Sequence, residues 1–150
     1  MTVNPGLLVT DVFGHAPATG VGGELSFMVF PHDMVIKYDD GMIGIGGFGQ
    51  AQSYGEGQTR YAVGAQVGNA VGLELGYAYR APGASSYAGL HSVHAGVFLS
   101  LGVVVGSLRA SVPLAAVNED ATHPSPGFEL GLSVAIKIPI PIVGGIEPGC

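Results

Sequence analysis

The segment Leu90-His91-Ser92-Val93-His94 sets a hydroxyl and an imidazole two residues apart. Residues i and i+2 of a strand share a face, so Ser92 and His94 could serve as nucleophile and base if an acid oriented the imidazole. Spacing offers Glu74. A hairpin joining 70–81 to 87–100, closed about residue 84, sets Glu74 opposite His94. A second hairpin, closed about Leu101-Gly102, brings His94 near Arg109. Two chemistries compete for this group. One is hydrolysis. The other is mutual neutralisation of Glu74, His94 and Arg109 in a dry interior, where an unpaired charge costs several kcal/mol. The second needs no substrate and is the expected reading.

Other chemistry is sparse. His15, His32 and His123 fall in separate connections, and His91 faces away from His94, so nothing has metal-ligand spacing. The pairs Asp39-Asp40 and Glu119-Asp120 read as solvated loop charges. Gly44-Ile45-Gly46-Gly47-Phe48-Gly49 has no following helix whose dipole could hold a phosphate, so no cofactor is expected. A net charge of −6 without basic clusters argues against nucleic acid. The single cysteine, Cys150, cannot form an internal disulfide.

The elements that must position these residues are strands. In 127–140, Phe128, Leu130, Leu132, Val134, Ile136, Ile138 and Ile140 alternate with Glu129, Gly131, Ser133, Ala135, Lys137 and Pro139. In 70–81, Val71, Leu73, Leu75, Tyr77 and Tyr79 alternate with Gly72, Glu74, Gly76, Ala78 and Arg80. Such period-two segments, bounded by turn formers, recur at 7–14, 20–30, 42–53, 59–68, 70–81, 87–100, 103–115 and 127–140. Helical periodicity is nearly absent. Eight strands place the connections 15–19, 54–58, 82–86 and 116–126 at one end. Those at 31–41, 68–69 and 101–102 fall at the other end, with both termini. Segment 31–41 breaks the pattern and has room for a short hairpin or helical turn.

Composition decides which face looks inward. Charged residues make up 11% of the chain, where about 25% is usual for soluble domains. The faces opposite the large apolar residues carry Gly, Ala and Ser rather than the Thr, Lys and Glu of a water-facing strand. Small residues with a few long charged ones suit the interior of an eight-stranded barrel. The expected lumen set is Glu24, Arg60, Glu74, Arg80, His94, Arg109, Glu129 and Lys137, forming a charge network. The expected fold is all-β: one antiparallel up-and-down transmembrane β-barrel of eight strands over 1–150, with 1–6 and 141–150 as tails. Its wall would contact a lipid bilayer or detergent, with Tyr61, Tyr77, Tyr79 and Tyr87 near the interfaces.

On this pattern, across roughly residues 7–140, the chain resembles the small eight-stranded outer-membrane barrels of the OmpA and OmpX type. The resemblance implies a bacterial outer-membrane location, a side-chain-filled lumen and a structural or surface-recognition role, with loop 116–126 the candidate for a surface ligand. Two features depart from it. Met1–Gly6 is no signal peptide, so export implies a leader already removed. The chain also runs past Ile140 to Cys150, without the terminal aromatic common in such barrels. Some outer-membrane barrels deacylate lipid through a His-any-Ser element. Here the order is Ser92-any-His94, and no enzymatic activity is expected. The alternatives are a soluble glycine-rich β-sheet module that self-assembles and a lipid-acting barrel hydrolase.

Overall fold

Alternation of large apolar and small residues produces nine strands in the computed structural model, which describes residues 1–14, 17–30, 43–82, 88–117 and 127–142. They are β1 (Thr2–Gly14), β2 (Ala18–Val29), β3 (Gly44–Tyr54), β4 (Thr59–Gly68), β5 (Val71–Ala81), β6 (Gly89–Leu101), β7 (Val104–Val117), β8 (Glu129–Lys137) and the two-residue β9 (Ile140–Pro141). Each of β1 to β7 pairs antiparallel with the next, and β1 also pairs with β8, so the sheet closes into an eight-stranded barrel. Where 1–6 was expected as a tail, β1 already begins at Thr2, which pairs with Met28, and Ile140–Pro141 adds to the free side of that extension. Pro5 hid this stretch, yet its carbonyl accepts from the Ile138 amide at 2.9 Å. The possible hairpin at 31–41, most of loop 116–126, His15, His32, His123, Tyr87 and Cys150 lie outside the described residues.

The register fixes the barrel's dimensions. A circuit through register partners runs Gly44, Gly68, Gly72, Phe98, Ser107, Ser133, Thr10, Gly20 and Tyr54, returning to β3 ten residues beyond its start. At about 3.3 Å per residue and about 4.7 Å between strands, that stagger tilts the strands by about 40° and gives a backbone radius of about 8 Å. Such an interior is filled mainly by side chains.

Short connections lie at one end, the turn end. Gly102 adopts φ +69° in the β6–β7 turn, where a side chain would be strained. The other end, the loop end, holds the 3₁₀ turn Gly55–Gly57 between β3 and β4, together with the β1–β2, β5–β6 and β7–β8 connections. One irregularity interrupts the ladder. His91 pairs with Ala115 but Ser92 pairs with Pro113, a bulge that passes over Leu114 and accommodates a proline inside β7.

The two faces have inverted polarity. Leu7, Val21, Leu25, Val63, Leu73, Leu75, Leu108, Leu132, Val134 and Ile136 stand exposed on the outside, Leu75 at 64%. Among the described residues, Asp11 is the one charged side chain on the outer wall, bonded there to Thr19. The inside buries Glu24, Gln50, Gln52, Arg60, Gln66, Glu74, Arg80, Arg109 and Glu129. Its apolar part is confined to small groups, such as Leu8, Val105 and Ala135 with Phe98 towards the turn end.

Candidate functional site

All eight expected lumen residues do face inward. Glu24, Arg60, Glu74, Arg80, His94, Arg109 and Glu129 are buried, and Lys137 is partly so. Alternation places them, and the narrow interior brings them together from six strands.

Towards the turn end the centre is Arg109. Its guanidinium pairs with Glu74, with Nε donating to Oε1 and Nη2 donating to Oε2 at 3.1 Å. Nη1 reaches the Gln50 amide oxygen at 3.2 Å and Ser133 Oγ at 3.4 Å. Glu24 sits 4.0 Å from Arg109, accepts from Gln50 Nε2 at 2.6 Å and pairs with Lys137. Two cations thus face two carboxylates.

Towards the loop end Arg80 pairs with Glu129 through contacts of 2.8 and 3.0 Å and lies 5.4 Å above the Tyr54 ring. Tyr54 donates to Gln52 Oε1 at 2.5 Å, and Arg60 reaches that oxygen at 3.4 Å. Gln52 Nε2 donates to Thr10 Oγ1 at 3.0 Å, and Thr10 bonds Ser133 at 2.8 Å. Because Ser133 also meets Arg109, one hydrogen-bonded chain runs from Tyr54, the last residue of β3, to Lys137, the last of β8.

His94 is corrected. The expected Glu74–His94–Arg109 cluster does not form. The β5–β6 register centres on residue 85, so Glu74 faces Gly96 and His94 faces Gly76. His94 lies 5.8 Å from the Phe48 ring, and neither ring nitrogen has a hydrogen-bond partner among the described residues. Phe48, Gly64, Gly76 and His94 are successive register partners, two rings separated by two glycines. A Cβ on Gly64 would meet Phe48 at 2.7 Å, and one on Gly76 would meet His94 at 2.6 Å. The glycines are space for the rings. Ser92 is also inside and buried, but makes no nucleophile–base bond to His94, and Glu74 is taken by Arg109.

Sequence reasoning missed Gln50, Gln52, Tyr54 and Thr10. Their signal was parity: Gln50, Gln52 and Tyr54 lie on one face of a strand whose first half is mostly glycine, where alternation is hard to read.

On the outside near the loop end, Tyr61 and Tyr79 are register partners, as are Tyr79 and His91. His91 stacks on Tyr79 with centroids 4.7 Å apart, and its Nδ1 bonds the Tyr77 hydroxyl. This makes a patch of aromatic side chains with polar tips across β4 to β6. Among the described residues no group of His, Cys, Asp and Glu could hold a metal, and no helix is long and apolar enough to cross a membrane.

The fold and site define a closed antiparallel barrel with a charged, side-chain-filled lumen and an apolar outer wall. Comparison with protein-family models, characterised proteins and solved structures finds no match.

Proposed function

We propose that the chain is an integral β-barrel of a Gram-negative outer membrane, with a structural or surface-recognition role carried at the loop end rather than a pore or an enzyme activity. The observation that carries this reading is the outer wall. Soluble monomers rarely expose apolar patches beyond a few hundred Å². Here large apolar side chains are exposed on all eight principal strands, β3 contributing Ile45 beside glycine and alanine. A protein partner would cover one side; a bilayer covers every side.

Dimensions agree. From Val104 to Leu114 the apolar stretch of β7 covers about 25 Å along the axis at about 3.3 Å per residue and about 40° tilt, matching the apolar band of outer-membrane barrels. Closure pairs every principal strand on both sides, as a hydrocarbon environment requires. The Tyr61, Tyr77, Tyr79 and His91 patch suits an interfacial level. The self-assembly alternative needs free sheet edges; with β1 bonded to β2 and β8, closure leaves it little edge to use. The hydrolase alternative needs Ser92 and His94 within reach of lipid, and both point into the lumen.

The test is solubility and gel mobility. The full chain should fold only with detergent or lipid and migrate differently before and after heating. A folded monomer in detergent-free buffer would overturn the reading.

A further inference from the structure

Charge balances at the turn end of the lumen and not at the loop end. Arg109 and Lys137 stand against Glu24 and Glu74, and each is ion-paired. Arg60 and Arg80 stand against Glu129, the one buried carboxylate at this end among the side chains the structure describes. They are direct register partners on β4 and β5, an arrangement that sets like charges face to face and destabilises the pair. Both are withdrawn from bulk solvent, Arg60 at 7% exposure and Arg80 at 3%. Glu129 is engaged by both terminal nitrogens of Arg80, while Arg60 reaches the neutral amide oxygen of Gln52. Arg80 Nε, buried, has no hydrogen-bond partner among the described residues.

We propose that this loop-end compartment is an anion site that takes a small free oxyanion, inorganic phosphate or a carboxylate, between Arg60 and Arg80. A guanidinium presents paired N–H donors matched to two oxygens of such a group. With the terminal nitrogens of Arg80 on Glu129, its buried Nε and the Arg60 guanidinium on the adjacent strand make the clamp, with one positive charge in excess among the described side chains. The phosphate of a lipid headgroup has the same chemistry, but the burial of both arginines favours a free ion. The site follows from the barrel interior and goes beyond the membrane reading. Its test is run on chain already folded in neutral detergent, so its failure leaves that reading intact.

The experiment follows unfolding of the full chain by circular dichroism while sodium phosphate is titrated against sodium chloride at constant ionic strength. In the wild type, phosphate at a hundredfold excess over its dissociation constant should raise the midpoint by about 5 °C. Arg60→Gln should show no phosphate response and be no less stable than wild type in phosphate-free buffer. A wild type that does not respond, or an Arg60→Gln variant that responds equally, overturns the proposal. So does a wild type that responds to vesicles containing phosphatidic acid but not to free phosphate. Coupling of Arg60→Gln to Glu119→Gln or Asp120→Asn in a double-mutant cycle, without a phosphate response, would make the counter-ion a carboxylate of the chain itself and also overturn it. Arg60→Lys keeps the charge and loses the fork; it should weaken the response about tenfold, and an unchanged response counts against the clamp.

Discussion

Glu74 and Arg109 are register partners of the same glycine, Gly96, on the strand between them, and their ion pair closes over it. A Cβ at Gly96 would meet Glu74 Oε1 at 2.8 Å, the Leu108 carbonyl at 2.8 Å and Arg109 Cγ at 3.0 Å. Gly96→Val is expected to destabilise the barrel by about 1–3 kcal/mol through overpacking. Gly106→Ala, whose Cβ would meet nothing within 4 Å, should be nearly neutral. Denaturant midpoints in detergent compare the two; equal effects would mean that the space over Gly96 is not what holds the pair.

Removing one partner is harsher than removing both. Glu74→Gln leaves Arg109 inside without its main carboxylate and should cost about 3–5 kcal/mol. Glu74→Gln combined with Arg109→Met should recover part of that loss. The check is a double-mutant cycle by denaturant unfolding, and an unchanged midpoint for Glu74→Gln would dissolve the network argument.

The wall makes the opposite demand. Val134 lies mid-strand on the exposed outer face of β8. In a bilayer, Val134→Lys should cost about 2–4 kcal/mol. Folded yield in vesicles, read by gel mobility, should fall accordingly. A variant that folds as well as wild type and needs less detergent would favour a water-facing wall.

Tyrosine reports depth. The chain has no Trp, so its six Tyr supply the intrinsic emission. Lipids brominated near the headgroup should quench it more than lipids brominated at the chain end, and Tyr61→Phe with Tyr77→Phe and Tyr79→Phe should remove most of the difference. Stronger quenching by chain-end bromines would move the loop end away from the interface.

The proposed structural role, with a lumen crossed by a hydrogen-bonded chain, predicts no conducting pore. Planar bilayers containing the protein should show no steady conductance, and sustained ohmic current would contradict the filled interior.

Alternation in 70–81 and 127–140 was enough to assign the inward face, because a strand's period is two whatever its neighbours. It could not assign partners. Moving a hairpin centre by one residue, from 84 to 85, shifts each partner by two, which exchanges His94 for Gly96 opposite Glu74. The bulge at His91/Ser92 adds a displacement that no spacing in the sequence announces. Gln50 and Gln52 stayed hidden because β3's glycines erase the contrast between faces. The barrel was therefore readable as a pattern, and its network only as a list of members.

The row Phe48–Gly64–Gly76–His94 implies that a ring and its neighbouring glycine cannot trade places. A Cβ on Gly64 would also meet the Leu75 carbonyl, and one on Gly76 the Val63 carbonyl at 2.7 Å, so shrinking a ring does not open either place. Anyone enlarging this interior into a passage would begin by deleting rings, since the glycines between them have no side chain to give up.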